Sequence, residues 1–266
     1  NEQMPWTYVD GVVPLSRIDF LVNSSRPLLA ICPPRIGEAE RKIGEYVNEL
    51  IDDGATLQLG LGAIPDVVLK FLENKKELGV HSGMLTDSII NLMEKGVITN
   101  SRKGIDEGKS VTGSLLGTEK LYRYVHNNPS LLFKTVDYTH NALVIARINK
   151  FTSINSALQV DLWGQINAES LNGDQLSGVG GQLDFIRAAV LSPGGKSIVA
   201  LPSTSRDGKN SRIVSRIRTE DAITTPRHDT HYVVTEFGIA DLKGKSLGDR
   251  ARALKAIAHP DFRDHL

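Results

Sequence analysis

The sequence predicts an α/β fold in which a mainly parallel β-sheet is flanked by helices. Two observations lead to this prediction. Short apolar runs typical of strands alternate with amphipathic helical stretches along most of the chain, and such alternation favours parallel strands joined by helices. Two glycine-rich stretches also lead directly into predicted helices, and the first of them directly follows a predicted strand, as expected for turns between elements.

The first elements follow an irregular opening segment. Residues 1–36 are rich in proline and glycine, and we interpret them as a connector. Apolar residues at helical spacing predict a helix over 38–51, which Asp-Asp-Gly at 52–54 ends. The segment 56–59 is predicted to be a short strand. Pro65 suits the first turn of the helix that follows it.

The same alternation continues to the end of the chain. The further predicted strands are 78–81, 110–116, 133–136, 152–161, 197–201 and 231–235. The further predicted helices are 85–95, 119–126, 141–148, 182–190 and 246–258. The segment 152–161 is the longest predicted strand, and Gly164 marks the turn after it.

The composition is that of an ordinary globular protein. Of the 266 residues, 40% are hydrophobic and 23% are charged, with 31 Lys and Arg against 31 Asp and Glu. Because the net charge is zero, the composition supports neither a nucleic-acid nor a membrane partner, and we predict none. No apolar run approaches the roughly 20 residues of a membrane span.

The single cysteine, Cys32, excludes a disulfide framework and favours a cytoplasmic location. The chain starts with Asn1 and shows no signal peptide, so we expect a fragment or a processed chain.

Two glycine turns are candidate binding elements. Gly60 and Gly62 lie between a strand and a helix, where backbone N–H groups and the helix N-terminus favour an anion. The turn containing Gly178, Gly180 and Gly181 leads into a helix in the same way, and an oxyanion or phosphate nest is the functional interpretation. The alternatives are a tight turn without a ligand for the first and a loop crowded by a neighbouring strand for the second.

Several ordered segments together resemble the acetyl-CoA hydrolase/transferase family of class I CoA-transferases, especially its 4-hydroxybutyrate CoA-transferase branch. The segments that carry the resemblance are 1–5 (NEQMP), 59–65 (LGLGAIP), 79–82 (GVHS), 153–162 (SINSALQVDL), 164–165 (GQ), 178–185 (GVGGQLDF), 234–238 (VTEFG) and 258–263 (AHPDFR). They run in the family's order through nearly the whole chain.

The resemblance implies a CoA-transferase-like fold and a C-terminal position in a longer protein. Residues 1–36 would be the interdomain connector and residues 37–266 the C-terminal α/β domain, with the N-terminal domain missing from this chain. The implied substrates are an acyl-CoA and a small carboxylic acid, with no tightly bound cofactor and no metal. A homodimer is also implied. The family's reaction is covalent: a glutamate attacks the thioester and an enzyme-bound glutamyl-CoA thioester follows.

One departure from the family pattern affects this chemistry directly. The family's nucleophilic glutamate follows a His-Ser pair, whereas His81-Ser82 is followed here by Gly83. Three interpretations remain open. Another carboxylate, Glu169 or Asp87, or a water molecule attacks the thioester; the protein only binds acyl-CoA; or the residue was altered to inactivate the enzyme. His81 is a candidate acid, and the alternative is a structural histidine.

Further candidates concern coenzyme A binding. Asn155 and Ser156 could donate hydrogen bonds to substrate, or bond to a neighbouring turn. Basic residues near the chain's end suit CoA phosphates, although charge runs are often simply solvated. They are Arg206, Lys209, Arg212, Arg216, Arg218 and Arg227. Trp163 either lines the acyl channel or belongs to the core.

The predicted function is an acyl-CoA:carboxylate CoA-transferase acting on short acyl-CoA thioesters, with Gly83 in place of the usual glutamate. The alternatives are an acyl-CoA hydrolase and a non-catalytic acyl-CoA-binding domain. A sugar-phosphate isomerase-like enzyme ranks below these, because fold analogy alone supports it.

Overall fold

The structure is a computed structural model that describes residues 1–31 and 36–266. Cys32, on which the expected reducing compartment depends, lies outside the described residues. The helices are α1 (Glu38–Leu50), α2 (Ala63–Phe71), α3 (Asp87–Glu94), α4 (Glu119–Val125), α5 (Val136–Thr139), α6 (Ala142–Ile145), α7 (Gln182–Leu191) and α8 (Leu247–Ala256). Two 3₁₀ helices span Leu15–Arg17 and Pro260–His265.

The strands are mostly short. They are β1 (Thr56–Leu59), β2 (Gly79–Val80), β3 (Met84–Leu85), β4 (Ser110–Thr112), β5 (Ser114–Leu115), β6 (Leu131–Phe133), β7 (Phe151–Ser156), β8 (Gln159–Asp161), β9 (Ile166–Asn167), β10 (Ser170–Leu171), β11 (Asp174–Gln175), β12 (Lys196–Ala200), β13 (Ile213–Val214), β14 (Tyr232–Thr235) and β15 (Gly238–Asp241).

A six-stranded sheet in the order β15-β14-β12-β7-β1-β2 forms the centre of the fold. All neighbouring strands in it are parallel except β14 and β15, which are antiparallel. The predicted α/β fold with a mainly parallel sheet is therefore confirmed. The antiparallel edge strand β15 was not predicted, because it follows β14 after a short turn that carries no helix.

Apolar side chains cover both faces of this sheet. Along β12, Ile198 and Ala200 pack into the cluster that holds residues of α1 and α2, whereas Val199 packs into a second cluster with residues of α7 and α8. Because successive side chains of a strand point to opposite faces, one apolar run serves two cores. Burial on both faces accounts for the apolar run 198–201 at the end of β12.

The structure corrects five predicted boundaries. The predicted strand 152–161 is two strands, since the chain leaves the central sheet at Ala157 and β8 pairs with β9 and β13. The predicted strand 110–116 is also two strands, because β4 pairs with β6 and β5 pairs with β3.

The predicted helix 85–95 starts only at Asp87, because Met84 and Leu85 pair with β5. The predicted strand 133–136 is shifted to β6, which pairs with β4. In these four cases pairing with a distant segment overrides the local pattern. The predicted helix 141–148 is the short α6.

The opening segment, interpreted as a connector, runs along the rest of the chain. Trp6 accepts a hydrogen bond from the backbone of Asn127, at 2.9 Å, and Ile31 donates one to Gly117, at 3.1 Å. Many large apolar side chains of this segment are exposed, including Phe20 at 88%. The division at residue 36 remains a prediction.

Candidate active site

A cavity of about 1440 Å³ lies at the carboxyl edge of the central sheet. Residues at or just after the ends of parallel strands line it: Gly60 after β1, Gly83 after β2, Ser156 at the end of β7, Pro202 after β12 and Glu236 after β14. Ligands of open α/β sheets bind outside the carboxyl ends of the strands. The position of this cavity therefore makes it the candidate active site.

Most of the sequence-predicted site residues meet in this cavity. Its lining includes Gly60, Gly62, Gly83, Asn155, Gly178, Gly180, Gly181, Arg206 and Arg212. His81, Glu169 and Lys209 lie elsewhere, outside the lining residues.

The two glycine turns bring two helix N-termini to the cavity. Gly62 and Gly180 have φ angles of 129° and 58°, which glycine adopts without strain. α2 and α7 begin directly after these turns. Among the described residues we find no acceptor for the backbone N–H groups of Gly178, Val179 and Gly180. Free N–H groups beside helix N-termini favour an anion or a developing oxyanion.

The absence of a side chain on Gly60 leaves room for the side chain of Asn155. A Cβ atom there would lie 2.7 Å from Oδ1 of Asn155. The Asn155 amide forms a reciprocal pair with Gln58 on the neighbouring strand, donating from Nδ2 at 3.0 Å and accepting at Oδ1 at 3.2 Å. The pair fixes the orientation of the Asn155 amide at the cavity wall, and one Nδ2 hydrogen remains for a ligand.

The imidazole of His140 fills the space beside Gly83. A Cβ atom on Gly83 would lie 2.8 Å from Cε1 and 3.1 Å from Nε2 of His140, and a Cβ atom on Gly181 would overlap the same ring. Neither glycine has a positive φ angle. Their missing side chains therefore provide room for the ring rather than backbone freedom.

His140 is held from its other sides as well. Its ring lies 4.4 Å from the ring of Phe185, centre to centre, and its Nδ1 lies 2.8 Å from Oγ1 of Thr139. Burial lowers the pKa of His140 below its usual value, while Asp184 acts in the opposite direction. The ring is therefore neutral at pH 7.

His81, the histidine that the sequence singled out, lies behind the cavity wall. It is fully buried, and its Nε2 lies 3.0 Å from the carbonyl oxygen of Thr139. Because a carbonyl only accepts, Nε2 carries the proton. Burial, reinforced by the charge of Lys103, lowers the pKa of His81 to about 4. A neutral, enclosed ring whose proton is already donated is poorly suited to act as an acid on a substrate.

The two carboxylates considered as replacement nucleophiles are engaged elsewhere. Glu169 accepts hydrogen bonds from Thr224 at 2.9 Å and from Gln175 at 3.1 Å. Asp87 accepts from the backbone and the hydroxyl of Thr118, the N-cap residue of α4, at 2.7 and 2.6 Å. Both arrangements are those of carboxylates that stabilise loops and helix ends.

The basic residues predicted to bind phosphate divide into two groups. Arg206 and Arg212 line the cavity. Burial lowers the pKa of Arg212, while Glu40 and Glu236 partly offset that effect. The remaining members lie away from the cavity lining: Arg216 stacks 2.9 Å above the ring of Trp163, with Arg227 5.4 Å from it, and Arg218 donates to Asn172. Trp163 therefore belongs to a cation–π cluster outside the lining.

Sequence reasoning missed three lining residues: His140, Phe185 and Glu236. Phe185 and Glu236 lie in segments quoted for the family resemblance, but neither was singled out for a role. Glu236 accepts hydrogen bonds from the backbone and hydroxyl of Ser203, at 2.8 and 2.6 Å. His140 carried no local signal, because its importance depends on Gly83 and Gly181, which are distant in sequence.

The geometry defines an α/β protein with an anion-favouring cavity at the edge of a parallel sheet. The family model of the acetyl-CoA hydrolase/transferase C-terminal domain matches residues 117–266. The chain is 53% identical to 4-hydroxybutyrate coenzyme A transferase of Clostridium kluyveri over 266 residues, covering 100% of this chain and 62% of that protein. It is 42% identical to succinyl-CoA:cyclohexane-1-carboxylate CoA transferase of Geobacter metallireducens, of which it covers 61%.

The fold agrees with that of solved relatives. The crystal structure of RipA from Yersinia pestis matches 99% of this chain with a TM-score of 0.94 and 40% identity, over 60% of the RipA chain. The chain belongs to the acetyl-CoA hydrolase/transferase family. It spans about 60% of the length of these relatives.

Two further findings concern other ligands and membranes. Within residues 1–31 and 36–266, we find no cluster of three or more His, Cys, Asp or Glu side chains that could hold a metal ion. None of the described helices is both long and apolar enough to span a bilayer.

Proposed function

We propose that this chain carries the acyl-CoA site of an enzyme that cleaves short acyl-CoA thioesters, with water as the acyl acceptor. One observation carries the proposal: Gly83, where the resemblance implies the family's nucleophile, lines the cavity without a side chain, and the imidazole of His140 lies against it. Transfer through a glutamyl thioester needs a carboxylate at that position. Hydrolysis needs only room for water and a base.

The cavity also supports coenzyme A as the ligand class. Arg206 and Arg212 supply positive charge for its phosphates, and the two helix N-termini supply N–H donors for a thioester oxyanion. Similarity to a 4-hydroxybutyrate coenzyme A transferase and a succinyl-CoA:cyclohexane-1-carboxylate CoA transferase favours acyl groups of modest size. A homodimer and a cytoplasmic location remain part of the proposal.

Coenzyme A transfer to a carboxylic acid is the second candidate, because the curated relatives described above are transferases. It would require a nucleophile from elsewhere. Glu40 and Glu236 are carboxylates of the cavity lining, but Glu236 is already held by Ser203 and Glu40 accepts from the backbone of Gly37. Carboxylates held by these hydrogen bonds are less suited to attack a thioester. Transfer is therefore the second candidate.

The test is an assay of the complete protein with acetyl-, butyryl- and 4-hydroxybutyryl-CoA, with and without acetate. We expect release of free CoA thiol without acetate, at a rate that acetate leaves unchanged. Release that depends on acetate would replace hydrolysis by transfer. No release, combined with a rise in melting temperature on adding CoA, would replace both by binding alone.

Arg212→Ala tests the ligand class separately from the reaction. Loss of a charge-assisted contact to phosphate should raise KM for acyl-CoA about tenfold. Arg123→Ala, which removes an exposed arginine on α4, is the matched control and should leave KM unchanged. An unchanged KM in Arg212→Ala would contradict phosphate binding at this position.

A further inference from the structure

We propose that His140 is the general base that activates water for thioester hydrolysis, taking over at the position that Gly83 leaves open. The inference rests on the proposed hydrolysis and assigns its catalytic residue. Three residues that are far apart in the sequence, Gly83, His140 and Gly181, share the space on which it depends.

The first support is the exchange of space between Gly83 and His140. Any side chain on Gly83 would meet the His140 ring at 2.8 Å from its Cβ, closer than real Cβ contacts. Gly181 excludes a side chain in the same way. The ring thus lies where a side chain at position 83 would begin, so a reactive group is present beside Gly83 although that residue carries none.

The second support is the hydrogen-bond chain behind the ring. Thr139 Oγ1 lies 3.3 Å from the carbonyl oxygen of Thr135 and 2.8 Å from Nδ1 of His140. A hydroxyl that donates its single proton to Thr135 accepts from Nδ1. The proposal assigns this arrangement, with the proton of the neutral ring on Nδ1 and the lone pair on Nε2.

The third support is the surroundings of Nε2. His140 lines the cavity, and we find no hydrogen-bond partner for Nε2 in the part of the chain that the structure describes. Phe185 packs against the ring and limits its rotation. A neutral imidazole in the cavity lining, whose Nε2 has no partner among the described residues, is what water activation requires.

The reaction balances with water alone. The water oxygen attacks the thioester carbonyl carbon as its proton moves to Nε2 of His140, and the resulting oxyanion is stabilised by cavity N–H groups. The carbon–sulfur bond then breaks, and the departing sulfur takes the proton from the imidazolium. The products are a carboxylic acid and CoA thiol, and His140 returns to its neutral form.

The experiment compares His140→Ala and His140→Gln with the wild-type complete protein, using butyryl-CoA and free imidazole. We expect kcat to fall about 100-fold or more in both variants, with KM within about threefold. Imidazole should restore part of kcat in His140→Ala, which leaves room for it, but not in His140→Gln. His265→Ala, an exposed histidine, is the matched control and should keep full activity.

The outcomes separate this inference from the proposed function. Wild-type hydrolysis that persists within about threefold in folded His140→Ala or His140→Gln would overturn the role of His140 and leave hydrolysis standing. A fall in kcat without imidazole rescue of His140→Ala would reduce His140 to a spatial role. Absence of hydrolysis in the wild type would overturn the proposed function and, with it, this inference.

Discussion

His81 and His140 both contact Thr139, one through its carbonyl group and the other through its hydroxyl. His81 lies on the buried side, with Nε2 donating and Nδ1 enclosed without a partner in the described structure. His140 lies on the cavity side, between Gly83 and Gly181. Both rings are neutral because burial lowers their pKa values. They differ in access: only His140 can reach a ligand.

The histidine that lies in a family segment, His81, is therefore not the histidine that lines the cavity, His140. His81 belongs to the segment that resembles the family's nucleophile region, yet its surroundings serve packing. His140 belongs to no quoted motif, yet the absence of two side chains gives its ring a place in the site. Access to the cavity and hydrogen-bond direction therefore separate the two roles. Substitutions at His81 and around His140 can test each role independently.

The largest loss on the cavity side is expected from Gly181→Ala. Its Cβ would overlap the His140 ring, which must then leave its position. We expect kcat for CoA release to fall about 100-fold. Gly178→Ala should lower kcat less, because a Cβ atom there has no neighbour within 4 Å. Gly248→Ala on α8, where the nearest atom is 3.7 Å away, controls for the added methyl group. Near-wild-type kcat in Gly181→Ala would contradict the position of the ring.

A glutamate placed at position 83, where the resemblance implies the family's nucleophile, tests the cavity side in the opposite direction. Gly83→Glu alone forces its side chain into His140, whereas Gly83→Glu combined with His140→Ala provides room. We therefore expect acetate-dependent CoA transfer in the double variant, about tenfold above the single variant. Borohydride trapping should detect a glutamyl thioester. Equal transfer in both variants would show that the two positions do not compete for space.

Burial of His81 should affect the stability of the fold rather than the rate of turnover. The pKa of His81 is lowered from 6.5 to about 4, so the unfolded chain binds a proton that the folded chain excludes between these values. The free energy of unfolding should therefore decrease as pH falls from about 6.5 to 4, by up to about 3 kcal/mol. His231 has a pKa lowered to about 4 and contributes with the same sign.

Urea unfolding at several pH values would measure how the free energy of unfolding changes with pH. His81→Gln should reduce this pH dependence, and the contribution of His231 should remain. An identical slope in the variant would mean that His81 is already protonated, or that its site opens at low pH.

The smallest effect is expected for Glu169→Gln. Glu169 lies outside the cavity lining and accepts from Thr224 and Gln175. Turnover should change less than about threefold, and stability should fall by about 1 kcal/mol as one of these bonds weakens. Initial rates and urea unfolding would measure both quantities. A loss of activity as large as that of His140→Ala would return Glu169 to the list of candidate nucleophiles.

Much of the fold was predictable because its signals are local. The apolar residues of β12 and β14 and the amphipathic spacing of α1 each lie within a short window of sequence. The predictions failed where pairing with distant segments decides the structure. The chain leaves the central sheet at Ala157, and no local residue pattern marks that point, since β8 finds its partners in β9 and β13.

The site divides in the same way. The glycine turns at Gly60–Gly62 and Gly178–Gly181 were predicted, because each leads along the chain into a helix. The first turn follows β1 at the carboxyl edge of the sheet. The second precedes α7, which returns the chain to the parallel strand β12 and so begins at the same edge. The assignment of Lys209 to phosphate binding has no comparable support, since Lys209 lies outside the lining while Arg206 and Arg212 lie within it.

The sequence by itself determined the parallel α/β fold, the family and the absence of a side chain at position 83. Only the tertiary structure decided what occupies the space beside Gly83. That space is shared by residues from three separate segments, and whether a ring fits there depends on the distance between backbones rather than on any spacing along the chain.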